Sequence, residues 1–269
     1  MKRVTKIPAC PLRPTDAHKG TFGTLTLLAG SEGMLGAAIL AARGALRGGV
    51  GLCRACLPAK LTAPFTVAVP AATTFVRTPT LRGLLNSSDA LVVGPGLGTG
   101  PEARKQVRQV VRTSRVGMVL DADGLNLSAP LGRAMVAAAP VVLTPHPGEA
   151  ARLLGTDSAA VQKDRRAAVC ELVAQSGQTV VLKGAHSLVA DGTRLYENQT
   201  GNPGMSTGGT GDVLAGLMGG LLAQGMDPFD AAVLAVYLHG KAGDLIADRL
   251  SQSGLTAEDL PLAIAEVMK

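Results

Sequence analysis

Residues 206–216 read STGGTGDVLAG, four glycines around one aspartate, and then the chain turns apolar. Glycine at that density suits neither a helix interior nor a strand, because each one lacks a side chain and loses backbone entropy on folding. From Val213 onward, however, VLAGLMGGLLAQG reads as a buried helix. Two explanations of Asp212 stand at this point. It can cap the helix, a common role for aspartate. Alternatively, the backbone is left bare so that its N–H groups can hold an anion at a helix N-terminus. A carboxylate in such a place would repel phosphate unless it has work to do, and that work would be to accept a proton from a hydroxyl attacking phosphorus. The wider run NQTGNPGMSTGGTGDVLAG, Asn198–Gly216, adds the hydroxyls of Thr207 and Thr210.

Upstream, short apolar runs alternate with longer helical stretches. Thr24–Leu28, Ala90–Val93, Met118–Leu120, Val141–Leu143 and Thr179–Leu182 read as strands, nearly continuous in Leu and Val where both faces are covered. Met34–Leu46, Pro101–Thr113, Asp157–Gln175, Val213–Gln224 and Pro228–Arg249 read as helices. Such alternation predicts one α/β domain, a mostly parallel sheet with helices on both faces. Each predicted strand runs into a loop rich in Gly, Pro and polar residues: AGSEGMLGAA, GPGLGTG, DADGLN, TPHPGEAARLLG and KGAHSLVADG. Ligands of open α/β sheets bind beyond the carboxyl ends of the strands.

Composition narrows the function. A hydrophobic content of 46% excludes a disordered chain. The net charge of +6 could suggest nucleic acid, but the basic residues are scattered, aromatics are 2% and Trp is missing, so stacking platforms are lacking. A modest positive field suits an anionic small molecule instead. The apolar run Val213–Ala223 is too short to span a bilayer, and MKRVTKIPACPLRP has no hydrophobic core of a signal peptide. No nucleic acid, no membrane and a cytoplasmic setting are therefore expected. Cys53 and Cys56 form a CxxC without a second ligand pair, which reads as buried thiols in a strand (GVGLCRACLP) rather than a zinc site.

The loops carry the chemistry. GPGLGTG, Gly94–Gly100, departs from a dinucleotide fingerprint at Thr99, and no Walker sequence occurs, so this loop is either a tight turn or a ligand contact. In TPHPGEA, Pro147 suits a first helical turn and Glu149 suits the helix dipole. His146 ends the preceding strand where a substrate would lie. Lys183 follows a buried strand and faces either solvent or a phosphate. LVADGTRLY reads as a hairpin turning at Asp191-Gly192.

These pieces resemble the ribokinase-like superfamily and, within it, the ADP/ATP-dependent NAD(P)H-hydrate dehydratases. HKGTFG (18–23), AGSEGMLGAAILAARGALRGGVG (29–51), GPGLG (94–98), DADGLN (121–126), TPHPGEAARLLG (144–155), VVLKG (180–184), GNPGMSTGGTGDVLAG (201–216) and YLHGKAGD (237–244) occur in the expected order. The resemblance implies a single ribokinase-like domain over residues 1–269. Residues 1–14 are an expected N-terminal extension, and any epimerase domain is expected on a separate protein. It implies that Ala37, Gly96, His146 and Asp212 contact a dinucleotide hydrated at C6 of its nicotinamide ring. It implies that Lys183, Gly184, Ala185, His186, Ser187, Gly208, Gly209, Thr210 and Gly211 hold the adenine nucleotide, with Asp212 as the catalytic base. ADP or ATP would be co-substrate, ADP being the family expectation, with Mg²⁺ on its phosphates; Asp121 or Glu149 could position that metal through water. A homo-oligomer, a tetramer by analogy, is also implied. Two other readings are a ribokinase-like kinase for a vitamin precursor or sugar, and a nucleotide sensor without catalysis. TPHPGE and GAAILAARGAL favour the dehydratase over the kinase, and Asp212 within an intact GGTGD speaks against the sensor.

Overall fold

Ten strands form one sheet, in the order β1-β10-β9-β8-β7-β6-β5-β2-β3-β4. They are β1 Lys2–Val4, β2 Thr24–Leu28, β3 Leu52–Leu57, β4 Thr73–Val76, β5 Ala90–Val93, β6 Gly117–Leu120, β7 Val141–Leu143, β8 Thr179–Leu182, β9 Leu188–Ala190 and β10 Arg194–Glu197. The computed structural model describes residues 1–79, 81, 87–131 and 137–268. From β8 across to β4 all neighbours are parallel, and the β9–β10 hairpin adds antiparallel strands at one side.

Alternation along the central strands feeds two cores. Val92, Val119, Val142 and Val181 point to one face. Their neighbours Leu91, Val93, Met118, Leu120, Leu143, Val180 and Leu182 point to the other. Helices cover both, which is why these strands are apolar throughout. Among the described residues the helices are α1 Leu35–Arg47, α2 Ala59–Ala68, α3 Pro101–Thr113, α4 Asp123–Ser128, α5 Pro147–Leu154, α6 Ser158–Lys163, α7 Arg165–Ser176, α8 Thr210–Ala223, α9 Pro228–Arg249 and α10 Leu260–Val267. Among the described residues, no helix is long and apolar enough to cross a membrane.

Several boundaries differ from the sequence reading. Asp157–Gln175 is two helices, α6 and α7, because Asp164 leaves helical geometry (φ −143°, ψ 83°) and its side chain accepts the Ala167 N–H as a new N-cap. Helix α8 starts at Thr210, three residues before the apolar run, which brings Gly211 and Asp212 into its first turn. Edge strands β1 and β4 are too short for a periodic signal; β1 lies along β10. Both faces of β3 read correctly: Cys53 and Cys56 are buried free thiols, and burial pushes them up to about 12 and about 11.

The glycines inside α8 are contact points. A Cβ on Gly216 would lie 1.8 Å from the Ala41 carbonyl oxygen, and one on Gly44 would lie 2.3 Å from that of Val213. A Cβ on Gly219 would meet Val92 at 2.3 Å. Helix α8 thus runs backbone to backbone with α1 while pressing on β5, and no larger side chain fits between them. Gly216→Ala gains about 1 kcal/mol of helix propensity but forces apart two backbones that have no flexible neighbour to move. We expect a net loss of about 1–3 kcal/mol, read as a lower urea midpoint at unchanged slope; a raised midpoint would contradict this packing.

Candidate active site

The order β5-β2-β3 reverses the direction of strand progression, since β2 pairs with β3 on one side and β5 on the other. Loops leaving β2 and β5 start on either side of this reversal, the place where open α/β sheets form their ligand crevice. The two loops are laced together: the Gly30 N–H donates to the Pro95 carbonyl (2.8 Å), and the Ser31 hydroxyl donates to that of Gly96 (2.9 Å). Gly96 has φ +57°, and a Cβ there would lie 2.9 Å from the Ala37 Cβ. Ala37 and Gly96, both expected to touch substrate, therefore adjoin at this reversal of the sheet. Gly98 N–H donates to Asp123 (2.8 Å).

Next to the crevice stands one ammonium among carboxylates. Lys183 Nζ donates to Asp121 Oδ1 at 2.7 Å and lies 3.7 Å from Glu149 Oε2. Asp121 is 1% exposed and accepts the Thr144 hydroxyl as well (2.7 Å). Burial works against the charge of Lys183, but Asp121 and Glu149 outweigh it, and the ammonium is held above its ordinary range. Lys183 is thus committed to protein carboxylates, and the sequence choice between solvent and phosphate resolves to neither as its first partner.

His146 and Glu149 form a reciprocal cap on α5. His146 Nδ1 accepts the N–H groups of Gly148 (3.0 Å) and Glu149 (3.3 Å), and Glu149 Oε2 accepts the His146 N–H (2.8 Å). The imidazole proton therefore sits on Nε2, 3.5 Å from Glu149 Oε1. Burial pushes the His146 pKa down, against the pull of Glu149, so the ring is neutral. Half of that side chain remains exposed.

Asp212 is different. Gly209, in the left-handed region at φ +95°, is the N-cap of α8 and has no side chain to cover the first N–H groups. Asp212 occupies the first turn and has no ion pair or hydrogen-bonded side-chain partner among the described residues. Burial pushes its carboxyl up to about 7; Asp121 adds to this against the attraction of Lys183, and Asp123 and Glu149 add further. The cap explanation for Asp212 thus finds no support in its hydrogen bonding. Behind it, His239 Nε2 donates to the Thr210 carbonyl (3.0 Å), and burial holds that ring neutral by pushing its pKa down to about 4.

A cavity of about 530 Å³ opens on the other side of Lys183. Lys183, Gly184, Ala185, His186, Ser187, Thr210 and Gly211 all line it. Gly208 and Gly209 do not, although they lead directly into the lined turn. A Cβ on Gly211 would lie 3.4 Å from Lys183 Nζ, so the two lining segments close on each other. The Thr210 hydroxyl, expected to face a ligand, donates instead to the Met205 and Thr207 carbonyls (3.1 Å each). Asn198–Met205, read from sequence only as the approach to the α8 start, and α9 form a further wall whose residues were not named as contacts. There, Asp244 accepts the Gly201 N–H (2.9 Å) and the Asn202 amide (3.0 Å), and Asn198 bonds to Tyr196, Thr200 and Val236. The YLHGKAGD run, which contains His239 and Asp244, was the available signal for that wall.

Among the described residues, no three His, Cys, Asp or Glu are grouped to hold a metal by themselves. Carboxylates nevertheless outnumber cations around Lys183. That balance fits a magnesium ion that arrives on nucleotide phosphates and keeps mostly phosphate and water ligands.

A family model described as NAD(P)H-hydrate dehydratase matches residues 25–265. The chain is 43% identical to an ADP-dependent (S)-NAD(P)H-hydrate dehydratase of Neisseria meningitidis, over 92% of this chain and 86% of that protein. It is 40% identical to a bifunctional NAD(P)H-hydrate repair enzyme of Moorella thermoacetica, over 93% of this chain but only 50% of that protein. The chain thus spans about half the length of the bifunctional relatives it matches. Among solved structures, an ADP/ATP-dependent NAD(P)H-hydrate dehydratase of Bacillus subtilis, crystallised with ATP and Mg²⁺, superimposes with a TM-score of 0.88 at 34% identity, over 96% of this chain and 93% of that one. A ribokinase-like superfamily protein of Enterococcus faecalis gives 0.86 at 29%, over 96% and 90%. With a mostly parallel sheet whose order reverses between β5 and β2 and an uncapped α8 N-terminus lining the cavity, this chain is ribokinase-like and belongs to the NAD(P)H-hydrate dehydratase family.

Proposed function

We propose that the chain dehydrates the S epimer of 6-hydroxylated NAD(P)H to NAD(P)H, converting ADP to AMP and phosphate or ATP to ADP and phosphate. The observation that carries this reading is Asp212, a largely buried carboxylate without a hydrogen-bond partner among the described residues, next in sequence to the cavity-lining Thr210 and Gly211 and within electrostatic reach of Lys183. The hydrated dinucleotide would occupy the crevice, with His146 at its border, and the adenine nucleotide the cavity. Gly208 and Gly209 would face the phosphates from the turn before α8.

Hydroxide leaves poorly, and its conversion to phosphate makes departure feasible. Asp212 accepts the proton of the C6 hydroxyl while that oxygen forms a bond to the terminal phosphorus of the nucleotide, and the bond from phosphorus to the leaving nucleotide oxygen breaks. N–H groups of the first α8 turn stabilise the negative charge on the phosphoryl in transfer. The ring nitrogen lone pair then expels phosphate by breaking the C6–O bond, and loss of a proton from C5 restores the dihydropyridine. Magnesium, arriving on the nucleotide phosphates and positioned through water by Asp121 or Glu149, would neutralise phosphate charge when bound. The four unpaired thiols agree with a cytoplasmic setting. A homo-oligomer, and an epimerase activity that supplies the S epimer, complete the reading.

The direct test supplies hydrated NADH or NADPH with ADP or ATP and Mg²⁺ and follows the absorbance of restored reduced nicotinamide. Signal with at least one nucleotide is expected, and silence with both would sink the proposal.

Two further outcomes follow from Asp212. As general base it must be ionised, and its carboxyl titrates at about 7 in the free protein. Hence kcat/KM should fall by about tenfold per pH unit below that point and level off above it. A profile still flat down to about pH 5 would exclude Asp212 as the base.

Stability moves in the opposite sense. A carboxyl whose folded pKa lies above its unfolded value stabilises the fold most when protonated, below about 4. That contribution is lost as pH rises through about 7. Asp212→Asn should therefore abolish turnover yet raise unfolding stability at about pH 8 by on the order of a few kcal/mol, with the gain vanishing near about pH 4. Thermal or urea unfolding at the two pH values checks this.

A further inference from the structure

The loop that carries Lys183–Ser187 is fastened from below by a residue outside both the cavity and the family motifs. Arg165 opens α7, just after the Asp164 cap. Its guanidinium turns toward the end of β8. There Nη2 donates to the Leu182 (3.1 Å) and Lys183 (3.2 Å) carbonyls, and Nη1 donates to the Ala185 carbonyl. Gly184, between those acceptors, lies flat on the guanidinium at φ +135°, where a Cβ would approach Arg165 Nη2 to 3.1 Å. Arg165 Nε is a buried donor without a partner. Among the described residues no carboxylate lies within ion-pair distance of Arg165, whereas the adjacent Arg166 pairs with Glu197. A half-buried cation that forgoes a carboxylate and leaves one donor unsatisfied is poorly explained as surface stabilisation. Its three bonds all go to backbone carbonyls at the end of β8 and in the loop that follows.

We propose that Arg165 is a positioning residue for nucleotide binding: its guanidinium fork holds the Lys183–Ala185 backbone in the one conformation that presents this loop to a nucleoside di- or triphosphate. By fixing the β8 exit, the fork also seats Lys183 where its ammonium meets Asp121. Lysine cannot replace it, because one ammonium is a compact point charge and the three acceptors are spread along the planar fork.

The proposal rests on the nucleotide reading of the cavity, and the experiment separates the two. Calorimetric titration of ADP and ATP with magnesium chloride is run on the wild-type chain, Arg165→Met, Arg165→Lys and Arg165→Gln, beside steady-state kinetics with hydrated dinucleotide varied. For Arg165→Met we expect nucleotide affinity to fall by about tenfold or more. KM for the hydrated dinucleotide and kcat at saturating nucleotide should stay within about threefold. Arg165→Lys should not restore binding. Arg165→Gln, whose single amide cannot span the three acceptors, should reproduce the selective loss at smaller size, and it carries the test if Arg165→Met does not fold. Unchanged nucleotide affinity in Arg165→Met and Arg165→Gln, or full recovery in Arg165→Lys, would overturn the proposal. So would parallel losses of both affinities with a lowered unfolding temperature, the mark of a structural role alone. If the wild-type chain binds neither nucleotide, the reading of the cavity falls first and the role of Arg165 with it.

Discussion

The first turn of α8 must stand uncovered at the carboxyl edge of the sheet, and much of the surrounding structure follows from that constraint. A helix start normally hides its N–H groups under a Ser, Thr, Asp or Asn side chain. Here the N-cap is Gly209, and the Thr210 hydroxyl turns back to the Met205 and Thr207 carbonyls. Nothing local then fixes where the helix begins, so distant contacts must. Gly216 and Gly44 bring α8 and α1 together backbone to backbone, Gly219 settles on β5, and His239 ties the Thr210 carbonyl to α9. The glycines that make this a poor helix by propensity are the ones that locate it.

Charge is arranged with the same economy. Asp121, Glu149 and Asp212 face one lysine, and Lys183 is bonded to the first, close to the second and only in electrostatic reach of the third. Asp121 and Glu149 have hydrogen-bond donors, Asp212 has none among the described residues, and its carboxyl is the one pushed up to about 7. A group destabilised in the folded state persists only where the rest of the fold over-determines it. The two cores on either side of the sheet supply that excess stability.

The strands of the parallel core were legible because each is apolar on both faces, and the hairpin because Asp191-Gly192 demands a turn. The start of α8 was not: glycine carries no periodic signal, and the reason for its presence is contact with α1, some 170 residues earlier in the chain. The break at Asp164 was hidden for a similar reason, since a cap inside an otherwise helical run has no apolar signature. Asp212, His146 and the Lys183–Ser187 loop could be named from sequence, but their partners could not. That Lys183 answers to Asp121, or Gly184 to Arg165, depends on which strand ends the sheet brings together.

Two helix starts flank Lys183, and their chemistry assigns them different tasks. At α5 the N–H groups of Gly148 and Glu149 are consumed by His146 Nδ1, and Glu149 returns the bond to the His146 N–H. That positive end is closed, and the only donor His146 has left is Nε2–H. At α8 the cap has no side chain, so the N–H groups remain available. An anion entering between them finds donors at α8 and a satisfied box at α5. The dipoles of both helices favour negative charge, but hydrogen bonds decide where it can settle, and only the α8 start has them to give. The same opening leaves Asp212 without a hydrogen-bond donor among the described residues, so an unpartnered carboxylate and uncapped N–H groups arise from a single structural choice, the glycine at position 209.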